Sequence, residues 1–402
     1  MRHHANHAPS TSGEAGEAQS GSEGQSVLMV APGSLFLSAI SYYSASVARA
    51  LYRHDVKIDL LLIRRLCPRF LYPGRAHVGR YAISVLRLGD IPVHEELDWY
   101  SFPSLWTAYK RLSVQSPRVL LLQWWTSAMA HNYIGLARRA KRSGCKVVLE
   151  LHELRDVGEH GIPLAARYTS VMMSRLAAYC DGIVVHSQAD VAAVADQYPR
   201  LAHLPSCVIF LGPLEHGDKP PTRKSSSDDL RPATIRFLYF GVIRPYKGLL
   251  ELVRAFRYLL DEGLPIHLTV AGEPWYGTEE AFSELALCAS DNYTTHLRYI
   301  SDSEVNALFS DCDILVAPYR RISASGPISM AMGVGMPIVT TRLPSLIEVC
   351  EGYDGVEWAE VNDPDSLASA MKRALLRVGQ TYQNFHSWDT NAKRYSEFFS
   401  KL

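Results

Sequence analysis

Long apolar runs are missing from this chain. None of its 402 residues lies in an uninterrupted stretch near the roughly 18 apolar residues that a bilayer-spanning helix needs, which predicts a protein without one. No C-x-x-C pair occurs among the seven scattered cysteines (Cys67, Cys145, Cys180, Cys207, Cys288, Cys312, Cys350). An odd, dispersed set of this kind reads as reduced thiols in a cytosolic protein. Excess charge is absent too: 41 Lys and Arg balance 41 Asp and Glu, and the lack of a basic surplus argues against a dedicated nucleic-acid binder. The opening residues MRHHANHAPSTSGEAGEAQSGSEGQS lack the apolar core of a secretory signal, and their Gly, Ser, Glu and Ala content buries too little to order itself. Residues 1–25 are therefore expected to be a tail, in which His3, His4 and His7 would bind metal only adventitiously. The sequon Asn292-Tyr293-Thr294 matters only in a secreted protein.

What is present is an ordinary globular mixture, 47% apolar and 20% charged, long enough for two domains. The charge balance hides an asymmetry. Residues 1–212 hold 22 Lys/Arg against 16 Asp/Glu, and residues 213–402 hold 19 against 25, as expected of two domains with different partners. Short apolar runs alternate with helical patterns in two series. The first comprises Val27–Val30, Lys57–Ile63, Arg118–Gln123, Lys146–Leu151, Ile183–His186 and Val208–Leu211. The second comprises Ile235–Phe240, His267–Ala271, His296–Ile300, Ile314–Ala317, Ile338–Thr341 and Val356–Trp358. Near-continuous apolar strands separated by amphipathic helices predict parallel sheets covered on both faces. The polar, Pro- and Ser-rich stretch 216–232 reads as the linker, giving domains at 26–215 and 233–385 and a last helix in 386–402 that packs back on the first domain. Ligands of such α/β sheets sit at the carboxyl ends of the strands, and the cleft between two facing domains is the default site.

Two post-strand loops carry candidate chemistry. In Phe240-Gly241-Val242-Ile243-Arg244-Pro245-Tyr246-Lys247-Gly248, the glycine lets the chain leave the sheet, and Arg244 and Lys247 stand near a helix start, a suitable place for a diphosphate. In Tyr319-Arg320-Arg321-Ile322-Ser323-Ala324-Ser325-Gly326-Pro327, small residues expose backbone N–H groups at a second helix start. Trp124 and Trp125 read either as a sugar-stacking pair or as packing. Asp311-Cys312-Asp313 lies at a helix-to-strand junction, which argues against a metal role. The segment 64–75 mixes cations with large apolar groups, as a loop on an anionic membrane surface or a plain basic loop would.

The run LYFGVIRPYKGLLELVRAF (238–256), with LTVAGEP (268–274), YISDSEVNALFSDCDILVAPY (299–319) and MGVGMPIVTTRLPSLIEV (332–349), resembles the family 4 glycosyltransferases. So do CDGIVVHS (180–187) and the strand Lys146 to His152 upstream, and the similarity spans roughly residues 26–400. The resemblance implies an α/β GT-B fold, two Rossmann-like domains with a nucleotide sugar in the cleft, retention of anomeric configuration, and no metal or other cofactor. It assigns Arg244 and Lys247 to the diphosphate, with Gln123 and His152 as the polar groups facing them. Gly241, Ser325, Gly326, Pro327, Glu348, Ile300 and Glu273 fall to the donor, and Trp124, Trp125 and Ser38 to the acceptor.

Two glutamates, eight positions apart in the family, align here with Ile322 and Met330, and no Glu occurs between Glu304 and Glu348. The Ser325-Gly326 helix start matches a subset of the family. The family's arginine after the glycine is Val242 here, and a cleft histidine of several relatives aligns with Gln123, which can hydrogen-bond but cannot titrate. The expectation is a retaining transferase acting on a glycan, lipid-linked or small-molecule acceptor, cytoplasmic or peripheral at the inner membrane face. Loss of both glutamates leaves open a second reading, a non-catalytic nucleotide-sugar-binding subunit; a third, a sugar-nucleotide epimerase, needs positioned acid/base groups and is disfavoured by Ile322 and Met330.

Overall fold

A computed structural model describes residues 25–34, 39–65, 84–99, 101–153, 163–214 and 234–402. The linker 216–232, Ser38, residues 66–75 of the basic segment and nearly all of the 1–25 tail lie outside the described residues. The first domain runs β1 (Ser26–Pro32), α1 (Ala39–Arg53), β2 (Lys57–Arg65), β3 (Val93–Asp98), α2 (Phe102–Gln115) and β4 (Val119–Trp124). It continues through α3 (Ala130–Arg142), β5 (Lys146–Leu151), α4 (Pro163–Ala177), β6 (Gly182–Val185), α5 (Gln188–Gln197) and β7 (Ser206–Val208). The second domain opens with β8 (Ile235–Phe240), α6 (Leu249–Asp261), β9 (Ile266–Ala271), α7 (Glu279–Leu285), β10 (Tyr293–His296) and α8 (Asp302–Asp311). Then follow β11 (Ile314–Ala317), α9 (Gly326–Gly333), β12 (Ile338–Thr341), α10 (Pro344–Val349), β13 (Val356–Ala359), α11 (Pro364–Ala374) and the closing α12 (Trp388–Lys401).

Among the described residues, one parallel sheet has the order β3-β2-β1-β4-β5-β6-β7 and the other β10-β9-β8-β11-β12-β13. The strand order reverses between β1 and β4 and between β8 and β11. Crevices open at such switch points, so the loops after β8 and β11 are brought side by side. The fold follows from local chemistry. Strands β1 and β4 are buried along nearly their whole length, as their Val-Leu runs require, because helices cover both faces. Helix α6 buries Leu249, Leu252, Val253, Phe256 and Leu259 on one side, the spacing of an amphipathic helix. Ser187, Asp363 and Ser387 cap α5, α11 and α12 with their side-chain oxygens.

Several boundaries depart from the sequence reading. The last strand of the first sheet is Ser206–Val208, not Val208–Leu211, and β10 is Tyr293–His296, not His296–Ile300. Polar, half-exposed edge strands carry a weak apolar signal, which pulled both readings toward the next apolar residues. Strand β3 (VHEELD) went unpredicted for the same reason, together with α2 behind it.

The domains are packed together. One apolar cluster runs from Met29 and Tyr43 through Leu211 and Leu214 to Met330 and Ile338. Helix α12 lies on the first domain: Trp388 Nε1 donates to the Pro213 carbonyl (2.7 Å), and Asn391 Nδ2 to that of Phe210 (2.8 Å).

Candidate active site

The C-terminal half of the cleft is built at the end of β8. Gly241 has φ +112°, and its N–H donates to the Ala271 carbonyl at 3.0 Å. On the neighbouring strand end, Gly272 has φ +145°, and a Cβ there would collide with the Gly241 carbonyl, so two glycines are needed where the two loops cross. The parallel pairing then continues past the strands, with Ile243 N–H donating to the Glu273 carbonyl (2.8 Å) and Trp275 N–H to that of Ile243 (2.9 Å). This extension fixes Arg244 beside Trp275, its guanidinium carbon 4.0 Å from the ring centre. The Arg244 Nε is buried with no hydrogen-bond partner, a donor left for a ligand.

A single 3₁₀ turn, Pro245–Lys247, ends at the left-handed Gly248 and delivers the chain into α6. It swings Lys247 back over the strand end. A Cβ built on Gly241 would lie 3.2 Å from Lys247 Nζ and 3.5 Å from Pro327 Cγ, so the turn and the start of α9 converge on one point. Lys247 Nζ also sits 5.8 Å from the centre of the Tyr319 ring. Burial, then the neighbouring Arg244 charge, lowers its ammonium to about 8, while Glu153 opposes that shift. Glu153 follows β5 of the first domain, so its field reaches the phosphate loop from across the cleft.

Ser325 caps α9, accepting from Ile328 N–H (3.3 Å), and its hydroxyl meets the Tyr319 hydroxyl at 3.1 Å. This capped start with Gly326 and Pro327 directly behind it holds the second loop against the first. Arg320 does not reach this point. It is paired with the buried Glu251 of α6 through Nε (3.0 Å) and Nη2, while its backbone N–H donates to the Tyr246 carbonyl.

Elsewhere the sequence-level assignments need correction. Glu348, read as either a donor contact or a cap, serves as a cap. Its carboxylate accepts from the Gln188 and Ala189 N–H groups of the opposite domain (2.5 and 2.9 Å), because α10 sets it against the start of α5, where unpaired amides attract an anion. Trp124 is only 1% exposed and packs on Tyr133, because strand alternation turns it away from the side to which Gln123 points; Trp125 lies half-buried against the same cluster. Trp124 therefore presents no free face to an acceptor. Ile300 belongs to the core, and Glu273 contributes its carbonyl to the loop pairing described above. Arg64 of the basic segment is neutralised by Asp98 through two hydrogen bonds (3.1 and 2.6 Å).

Gln123 and His152 are indeed brought together, but in a buried network. Gln123 Nε2 donates to Glu150 Oε2 (2.7 Å), and its Oε1 contacts His152 Nε2. His152 Nδ1 lies 3.0 Å from His186 Nε2, and His186 Nδ1 lies 3.0 Å from the Ile209 carbonyl. Tyr43 and Tyr395 place their hydroxyls 2.5 Å from Glu150 Oε1. Glu150 and His186 were not singled out from the sequence. The available signal was a carboxylate inside the apolar strand KVVLEL, directly paired with Gln123 in the sheet register.

Two doubly wound parallel sheets facing across a cleft, with paired cations and a capped helix start at one switch point, define the GT-B type of α/β protein. The comparisons agree. Over 94% of the chain the fold superposes on Anabaena HepE in complex with UDP and glucose (TM-score 0.67, 17% identity, all of that chain), and on a glycosyltransferase from Rickettsia africae (TM-score 0.67, 13% identity, 98% of that chain). Residues 234–377, within the second domain, match the family described as Glycosyl transferases group 1. A GDP-mannose:glycolipid 4-beta-D-mannosyltransferase of Xanthomonas campestris is 29% identical over 143 residues, 36% of this chain and 40% of that protein. A lipopolysaccharide 1,2-N-acetylglucosaminetransferase of Salmonella typhimurium is 25% identical over 177 residues, 40% of this chain and 46% of that protein. The chain thus spans less than half the length of these curated relatives.

Proposed function

We propose that this protein is a retaining glycosyltransferase that moves a sugar from a nucleoside-diphosphate sugar to a glycan or lipid-linked acceptor. The observation that carries the reading is the convergence of Lys247 Nζ, Gly241 and Pro327, with the partnerless Arg244 Nε close by in the same loop. Arg244 and Lys247 neutralise the diphosphate as its bond to the anomeric carbon breaks, and preorganised charge in a partly dry cleft contributes most where charge develops. The acceptor hydroxyl attacks the oxocarbenium-like carbon from the face the diphosphate leaves and passes its proton to the departing phosphate oxygen. Closure of the domains over the donor keeps water from that carbon. Ile322 and Met330 stand where relatives carry glutamates, and Met330 is buried in the core, so the grip on the donor rests on the phosphates. The names of the Xanthomonas and Salmonella relatives support a glycolipid or lipopolysaccharide acceptor.

The test is a screen of UDP, GDP, ADP and dTDP sugars by thermal shift and turnover, on wild type and Lys247→Ala. One nucleotide sugar should stabilise the wild type and not the variant, with slow donor hydrolysis. Binding without hydrolysis or transfer, with lipid and glycan acceptors supplied, would favour a non-catalytic binding subunit. A folded wild type that binds none of them refutes the reading.

A further inference from the structure

We propose that Glu150, His152 and His186 form a binding site for a divalent transition metal of the zinc class in the first domain. The inference starts from hydrogen-bond complementarity. The Ile209 carbonyl can only accept, so the His186 Nδ1 that lies 3.0 Å from it carries the ring hydrogen, and His186 Nε2 is left with its lone pair. A carboxylate likewise only accepts, so Gln123 turns its amide nitrogen to Glu150 Oε2 and its carbonyl oxygen to His152 Nε2. That nitrogen must then bear the hydrogen of the second ring. What remains on His152 is the Nδ1 lone pair, and it lies 3.0 Å from the lone pair of His186 Nε2. Two imidazoles therefore present lone pairs to one another where a cation would be held.

Glu150 supplies the third donor, and the three donor atoms lie within 4.8 Å of one another. Each prospective ligand already has the outer partner that fixes a metal ligand's orientation: the Ile209 carbonyl for His186, Gln123 for His152, and Tyr43, Tyr395 and Gln123 for Glu150. Two imidazoles and a carboxylate suit zinc, with cobalt(II) as a spectroscopic substitute. Glu150 and His186 are buried and His152 is partly exposed, so an ion would enter on the His152 side. Such an ion would fasten the ends of β5 and β6, with α1 and α12 attached through the two tyrosines, and it is distinct from the phosphate loop of Arg244 and Lys247.

The test uses the full chain, produced without an affinity tag, as wild type, His152→Ala, His186→Ala and a variant with His3, His4 and His7 all changed to Ser. Each is desalted after exposure to a weak chelator, and its metal content is read by mass spectrometry. Wild type and the tail variant should retain about one equivalent and the two site variants none, with circular dichroism unchanged. The wild type reloaded with cobalt(II) should show visible d–d absorption, and zinc X-ray absorption should report two nitrogens and an oxygen at about 2.0–2.2 Å. These two readings need no variant to fold. The proposal is overturned by a folded wild type that retains no metal, by equal retention in His186→Ala, or by ¹⁵N spectra showing a proton held between the two rings. None of these readings involves a donor sugar, so they stand or fall apart from the transferase assignment.

Discussion

Lys247 shows how the site is set against the stability of the fold. Its ammonium is lowered from 10.5 to about 8, so in the folded chain the charge is disfavoured, and between pH 8 and 10.5 the unfolded chain binds more protons than the folded one. Stability attributable to this residue therefore rises with pH across that window, and its cost is fully present below it. Lys247→Met should accordingly melt higher than wild type at pH 7, with the difference closing toward pH 10.5, a comparison that calorimetry over that range decides. The same variant should lose nucleoside-diphosphate binding. In the wild type an arriving diphosphate restores the charge, so binding takes up a proton and affinity falls as pH rises above 8, at most about tenfold per unit. Titration calorimetry in two buffers of different ionisation heat measures that proton directly, and an affinity level from pH 7 to 9.5 would mean that Lys247 does not touch the phosphates. Gly272 makes the complementary point about backbone. Its φ of +145° and the Gly241 carbonyl beneath it leave no room for a methyl group, so Gly272→Ala should cost at least about 1–3 kcal/mol in chemical denaturation.

Among the elements, α12 has the largest reach, since it leaves the second domain and places Tyr395 on the buried Glu150 of the first. Tyr395→Phe keeps the ring and removes one hydrogen bond to a buried carboxylate, which should cost about 1.5–3 kcal/mol in urea unfolding with an unchanged m-value. If the loss is nearer zero, Tyr43 alone satisfies the carboxylate. The elements differed in how far they could be read beforehand. The parallel, helix-covered character of the two sheets and most helices were legible because covered parallel strands are apolar throughout and amphipathic helices keep their period, as β4 and α6 do. Edge strands β3 and β10 were not, because their exposed polar residues erase that contrast. The donor loop was legible for a related reason: glycine, arginine and lysine after a strand advertise a turn and an anion. The network of Gln123, Glu150, His152 and His186 was hidden, because it depends on the register that sets β4 beside β5 and β6, and a sequence does not display which strands are neighbours.

Across the whole molecule, the two domains are held closed by contacts of different kinds. Glu348 caps α5 from the opposite domain, and Tyr42 of α1 donates to Asp302 at the start of α8 (2.5 Å). Beneath both runs the shared apolar cluster. Against this closure stands Glu153, whose negative charge faces Lys247 across the gap and occupies the field a diphosphate would use. Glu153→Gln should therefore tighten nucleoside-diphosphate binding about 2- to 5-fold, the equivalent of the ~0.5–1 kcal/mol typical of a partly solvated charge pair, and the gain should shrink in high salt. The polar latches act in the other direction. A cap is worth about 1 kcal/mol and a phenol on a carboxylate about 1.5–3 kcal/mol, so Tyr42→Phe with Glu348→Gln should move the balance of open to closed by about 2 to 3 orders of magnitude. Small-angle scattering of the double variant would then show a larger radius of gyration than the wild type, and a saturating nucleoside diphosphate would restore the smaller one if the ligand bridges both domains. A radius unchanged in the variant would assign closure to the apolar cluster alone, and the latches would then set only the register in which the two domains meet.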